Sequence, residues 1–390
     1  MKWGLMEHKN KQKKRERNLE AVKEFVNLCK SPDTDIVILQ YLEAEGGAQE
    51  LIGLLQSDNK KNMAAVVPVF SALQYIVMKT LREAQEYRVS VEEACKHLLN
   101  HHLSTIHYML SLKSAAKHRQ VVLKLLTVIA TLSPQLARMI LSHVKISPKL
   151  WEVLAKHTKP IDKSVRTTFI HFLMAFLVDG CVSVIWPLLE IKGLLASIIP
   201  GLLYDSANTV HLVLTTLQNR VLLNMSISKT AKLYTFNTPA VRSLLTLYDW
   251  KGPLKWKPTK KNETSEIKGT NEEEKQMVAD AVHDFLQVLC TSHKYGIIFH
   301  DRSIGTSGRK HNELLQTVLE GLERPWEHKQ RAELVLKTVI ACPDLMKCVL
   351  ATVEPYLEPR VSVKWLKTVN FVKQVRLSKS VLICFVCTVK

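Results

Sequence analysis

The stretch HKYGIIFHDRSIGTSGRKHN, His293 to Asn312, gathers the residue types that most readily do chemistry: glycines, a His-Asp pair, arginines and lysines. A phosphate loop needs GxxxxGK[S/T] between strand and helix, so that backbone amides wrap the phosphate and the lysine reaches its outer oxygens. Gly305-Thr306-Ser307-Gly308 has the wrong spacing and follows a helical pattern, so that chemistry fails here. His300-Asp301 raises metal-assisted hydrolysis, but adjacent side chains point apart and a metal site needs further ligands at readable spacing. What remains is a loop turned at its glycines that presents Arg302, Arg309 and Lys310 to a partner.

Other constellations fall short of catalysis in the same way. His97, His101, His102 and His107 sit in a helical pattern, and the pair His97 and His101 has the spacing to clamp a metal on one face. No carboxylate or thiol at matching spacing completes a closed set. Cys384-Phe-Val-Cys387 is a lone CxxC without the second pair of a zinc site or the context of a redox motif. Lys255-Trp256-Lys257, followed by Lys260 and Lys261, sets an aromatic among cations, able to stack on a base while neutralising phosphates. No Ser/His/Asp or Cys/His set assembles from sequence order, so the residues call for no catalytic group, cofactor, metal or small-molecule substrate. The expectation is a protein that is not an enzyme.

The elements that must hold these residues read as helices. Val165, Phe169, Phe172, Leu173, Phe176 and Leu177 follow the i, i+4, i+7, i+8 spacing of a buried stripe, as do Val278, Val282, Phe285, Leu286 and Leu289. Short breakers separate such stripes: Ser31-Pro32, Ser133-Pro134, Ser147-Pro148, Asp179-Gly180, Thr238-Pro239 and Cys342-Pro343. Ser-Pro suits an N-cap followed by proline at the first helical position. Short links join antiparallel neighbours, so the expected fold is all-α, an irregular HEAT- or armadillo-like α-solenoid of stacked helical hairpins. The expected divisions are a basic tail over 1–17, a helical array over 18–250, a charged flexible linker over 251–275, a continuing array over 276–375 and an apolar tail over 376–390. The tail ends in SVLICFVCTV, an odd terminus that suggests a fragment or alternative end of something longer.

Composition bounds the partners. Hydrophobic residues make up 46% of 390, with only 13 Gly and 14 Pro, which favours long helices and a large core. The start lacks a signal peptide, no apolar run reaches the length of a membrane span, and the eight cysteines lie mostly within apolar patterns. A soluble protein with reduced thiols is expected. The formal charge is +18, and it is unevenly laid out. Ala94 to Trp151 carries no Asp or Glu, where ordinary composition would place roughly seven. Ser206 to Tyr248 is likewise free of acids, and so is the chain after Glu358. Uncompensated cations attract phosphates and release their counterions, so a polyanionic partner, RNA before an acidic protein, fits best.

SLLTLYDWKG (Ser243 to Gly252), AVHDFLQVLCTSHKYGIIFHDRSIGTSGRKHNELLQTVLEGL (Ala281 to Leu322) and VIACPDLM (Val339 to Met346) resemble the nucleolar pre-ribosomal-associated protein family, large scaffolds of early large-subunit assembly. Weaker similarity runs through VRTTFIHFLMAFLVDG, LLEIKGLL and NMSISKTAK, so that it covers most of Leu19 to Val375. It is sharpest from Phe299 to Arg309, which matches an aromatic-Asp-x-Ser-x-Gly-Thr-x-Gly-Arg pattern with His300 inserted before Asp301. The resemblance implies an α-solenoid in the nucleus and nucleolus. It also implies association with precursor ribosomal RNA, small nucleolar ribonucleoproteins and other assembly factors, among them a DEAD-box helicase. It carries over no catalytic residue and implies no membrane. The alternative is a helical-repeat adaptor that takes acidic or helical peptides without touching RNA.

Overall fold

The computed structural model describes residues 16–30, 34–45, 48–55, 63–111, 113–144, 163–178, 182–191, 193–228, 235–236, 238–254 and 271–291, with 330, 331, 333, 334 and 337. Among the described residues there are fourteen α-helices and no strand, so the chain is all-α. It divides into two compact units, Met1–Glu190 and Ile191–Lys390.

The first unit contains α1 (16–28), α2 (Thr34–Glu45), α3 (Gln49–Gly53), α4 (Met63–Arg82), α5 (Arg88–His101) and α6 (Leu103–Leu110). It continues with α7 (Ala116–Leu132), α8 (Pro134–His143), α9 (Lys163–Val178) and α10 (Val182–Glu190). Two rows of helices organise it. α4 packs on α7 and α7 on α9, while α3 packs on α5, α5 on α8 and α8 on α10. Between the rows lies the core: Phe70, Leu73, Ile76 and Val77 of α4, Leu123, Leu126 and Ile129 of α7, and Phe169, Phe172 and Phe176 of α9. The expected stripe from Val165 to Leu177 is buried throughout, and Phe172 meets Phe176 edge to face with ring centroids 4.9 Å apart.

Helix ends are fixed by local chemistry. At Ser133-Pro134 the serine oxygen accepts from the Leu136 amide at 3.3 Å and Pro134 opens α8, as the sequence predicts. Two arginines donate to backbone carbonyls at or near helix ends. Arg88 of α5 donates to the Leu132 carbonyl at the end of α7, and Arg119 donates to the carbonyls of Ser111 (3.3 Å) and Ser114 (2.5 Å) after α6. Cations at helix C-termini also complement the backbone dipole.

One expectation needs correction. α4 is long and apolar enough to cross a membrane, although the sequence reading found no run of that length. The reason is packing: α2, α3, α5 and α7 all lie against α4, so apolar side chains are required over most of its circumference.

The second unit contains α11 (Leu194–Ile198), α12 (Ala207–Leu217), α13 (Thr238–Thr246) and α14 (Glu272–Thr291). Gly193 precedes α11 with φ +77°, a left-handed conformation that a side chain would disfavour. α12 packs on α14, whose expected stripe Val278, Val282, Phe285, Leu286 and Leu289 is buried. Phe236 meets Phe285 edge to face at 5.2 Å. Glu272, Glu273 and Glu274 fill the first turn of α14, where the positive end of the helix dipole favours them.

Candidate functional site

The contact residues expected from sequence, Arg302, Arg309, Lys310, Lys255, Trp256, Lys257, Lys260 and Lys261, lie outside the described residues, as does the whole loop His293 to Asn312. What is described is how the chain enters the basic linker. Trp250 is buried, Gly252 takes φ +130°, and the Leu254 amide donates to the Leu203 carbonyl at 2.9 Å. The linker therefore leaves from a fixed point.

Two of the resembling stretches meet in the second unit, through Tyr248 of one and His283 of the other. Tyr248 and Asp249 close the turn after α13. The Tyr248 hydroxyl lies 3.3 Å from His283 Nδ1 on α14. Arg331 reaches back to Asp249 at 2.7 Å, and its guanidinium sits 5.3 Å from the Tyr248 ring centroid. Gln330 adds a bond to Asp280 at 2.8 Å. Burial holds the His283 imidazole below its ordinary pKa, the nearby Lys337 acts in the same direction, and Glu333, Asp284 and Asp280 partly oppose the shift. Arg331 is buried while Asp249 is largely exposed, and the cluster ties three segments together. Sequence reasoning missed Arg331, which carries no local signal; Tyr248-Asp249-Trp250 was visible only as part of the resembling stretch.

The α5–α6 histidines also come together. His97 stacks near His101 with ring centroids 4.3 Å apart and lies 6.3 Å from His102. Burial first, then the neighbouring His97 and His101, holds His102 below the usual imidazole pKa. No group of three or more His, Cys, Asp or Glu among the described residues is arranged to hold a metal. Cys29 and Cys95 are buried. Burial pushes the Cys29 thiol up to about 11 and raises Cys95 further, with Glu92 adding to the latter. Such thiols stay protonated and are poor nucleophiles.

Among the described basic residues of the acid-free tract, Arg119 is committed to backbone carbonyls and Lys96 is half-buried, whereas Lys113, Lys117, Lys124 and Arg138 are exposed. The structure thus defines a helical protein with solvated cations and no assembled catalytic constellation among the described residues.

Residues 48–368 match the Npa1 family, described as Ribosome 60S biogenesis N-terminal. The match covers most of the chain, and the chain belongs to this family. It is 30% identical over 360 residues to mouse Nucleolar pre-ribosomal-associated protein 1 and 29% identical over 356 residues to the human protein of that name. Those alignments take in 91% and 90% of this chain but 16% and 15% of the relatives, so the chain spans about one sixth of their length. Membership ties the chain to large-subunit ribosome biogenesis, and the nuclear and nucleolar residence expected from sequence agrees with the relatives' names.

Proposed function

We propose that this chain is a non-enzymatic helical scaffold in nucleolar assembly of the large ribosomal subunit, holding precursor ribosomal RNA and neighbouring assembly factors. The observation that carries the reading is the coincidence of family membership with an acid-free tract whose Lys113, Lys117, Lys124 and Arg138 face solvent. Cations without nearby carboxylates keep their full potential for phosphates. The two helix rows of the first unit support an α-solenoid, because helices of each row pack on one another in succession and on helices of the facing row. Small nucleolar ribonucleoproteins and a DEAD-box helicase are the partners to which the resemblance points. Arg302, Arg309, Lys310 and the Lys255 to Lys261 segment remain proposed contacts, on the strength of the sequence.

In-cell crosslinking followed by sequencing of bound RNA tests the scaffold. Enrichment of ribosomal precursor is the expected result. If crosslinked RNA is absent and acidic or helical peptides are captured instead, the adaptor reading replaces it.

A further inference from the structure

Carboxylates are distributed unequally between the two helix rows of the first unit. α4, α7 and α9, the helices of one row, together contain no Asp or Glu. The opposite row carries Glu50 on α3, Glu92 and Glu93 on α5 and Glu190 on α10. In sequence the acid-free helices are far apart, and only packing sets them side by side. α2 also lies on α4 and α6 on α7, so the side of this row turned away from the opposite row stays open to solvent only in part. On α7 that side is a single stripe: Lys117 and Lys124 are exposed, seven residues and about 10 Å apart along the axis, with Gln120 half-exposed between them. α4 ends in exposed Arg82, directly followed by exposed Glu83, and α9 carries exposed His171.

The face is also poor in the anchors a peptide would need. The large hydrophobic side chains exposed in the first unit are Leu28, Ile36, Val89, Val178 and Trp186. None belongs to α4 or α7, and Val178 is only the last residue of α9. A helical peptide docks by laying apolar anchors into a groove, whereas a nucleic acid backbone needs spaced cations and polar donors. Helices pack about 8–10 Å apart, so polar donors on the helices beside α7 can widen its stripe of cations into a patch suited to a folded RNA.

We propose that the solvent side of the α4–α7–α9 row is a phosphate-binding surface for structured RNA, with Lys117 and Lys124 at its centre and Arg82 and His171 on the flanking helices. It rests on the RNA-scaffold reading and assigns that reading a surface on described helices of the first unit.

The test uses the full chain and a fluorescent RNA hairpin, titrated at about 50 and 200 mM salt. The variant K117Q/K124Q removes two cations; K23Q, an exposed lysine of α1, is the control. Loss of two phosphate contacts lowers the slope of log affinity against log salt by about 1.4–1.8, so the wild-type affinity loss between these salts shrinks roughly tenfold. K23Q should match wild type. Acetylation of the unmodified chain with and without the hairpin is a second readout needing no variant, and RNA should protect Lys117 and Lys124. Wild-type binding with an unchanged double variant and no protection overturns this surface and leaves the RNA reading intact. Absence of hairpin binding even at the lower salt sinks both. Protection of the two lysines by poly-glutamate but not by RNA overturns the proposal in favour of an acidic protein partner.

Discussion

Arg331 and Asp249 show how burial, more than pairing, decides what a charged residue contributes. Asp249 is 71% exposed and Arg331 is 9% exposed on the side-chain scale, so water screens one end of the ion pair and not the other. Removing the exposed partner in D249N should cost no more than about 1 kcal/mol. R331A also loses the guanidinium contact with Tyr248 and its buried stem, and should cost about 1–3 kcal/mol; urea denaturation of both variants checks the order. His102 and His283 make a second residue-scale prediction. Burial holds both imidazoles neutral in the fold, while the unfolded chain protonates them near pH 6.5. Their contribution is therefore complete above pH 6.5 and is lost as pH falls, because the unfolded state then takes up protons that the fold refuses. Denaturation midpoints should drop between pH 7.5 and 5.5, and H102Q and H283Q should each flatten that slope.

At the scale of the element, periodicity and caps were readable because both act over a few residues. Ser133 illustrates it: one hydroxyl and one proline start α8, and S133A should cost about 1 kcal/mol by thermal melting. The buried stripe of α9 was equally plain, and F172A should cost about 3–5 kcal/mol, since its ring is enclosed by neighbours that can collapse only in part. Other element-scale properties were hidden. The apolar length of α4 reads as a membrane candidate until four neighbouring helices explain it. The Arg88 cap joins a side chain to the end of a helix 44 residues away, so no short window reveals it.

For the whole molecule, net charge and its layout dominate behaviour. With a formal charge of +18 and long acid-free tracts, binding to structured RNA should weaken steeply with salt and vary little with RNA sequence. Titrating hairpins of unrelated sequence at several salt concentrations checks both parts. The sequence by itself determined the helical class, because a 3.6-residue apolar period with few glycines and prolines leaves little else, and it carried the family in its local motifs. It also showed the acid-free stretch that contains α7. Only the tertiary structure set α4 and α9 beside α7, and brought Arg331 to Asp249 across 82 residues. The physical reason is range: helix period, caps and composition are properties of neighbours along the chain. Which helix faces share one surface is fixed by side-chain packing between segments whose separation in sequence says nothing of their distance in space.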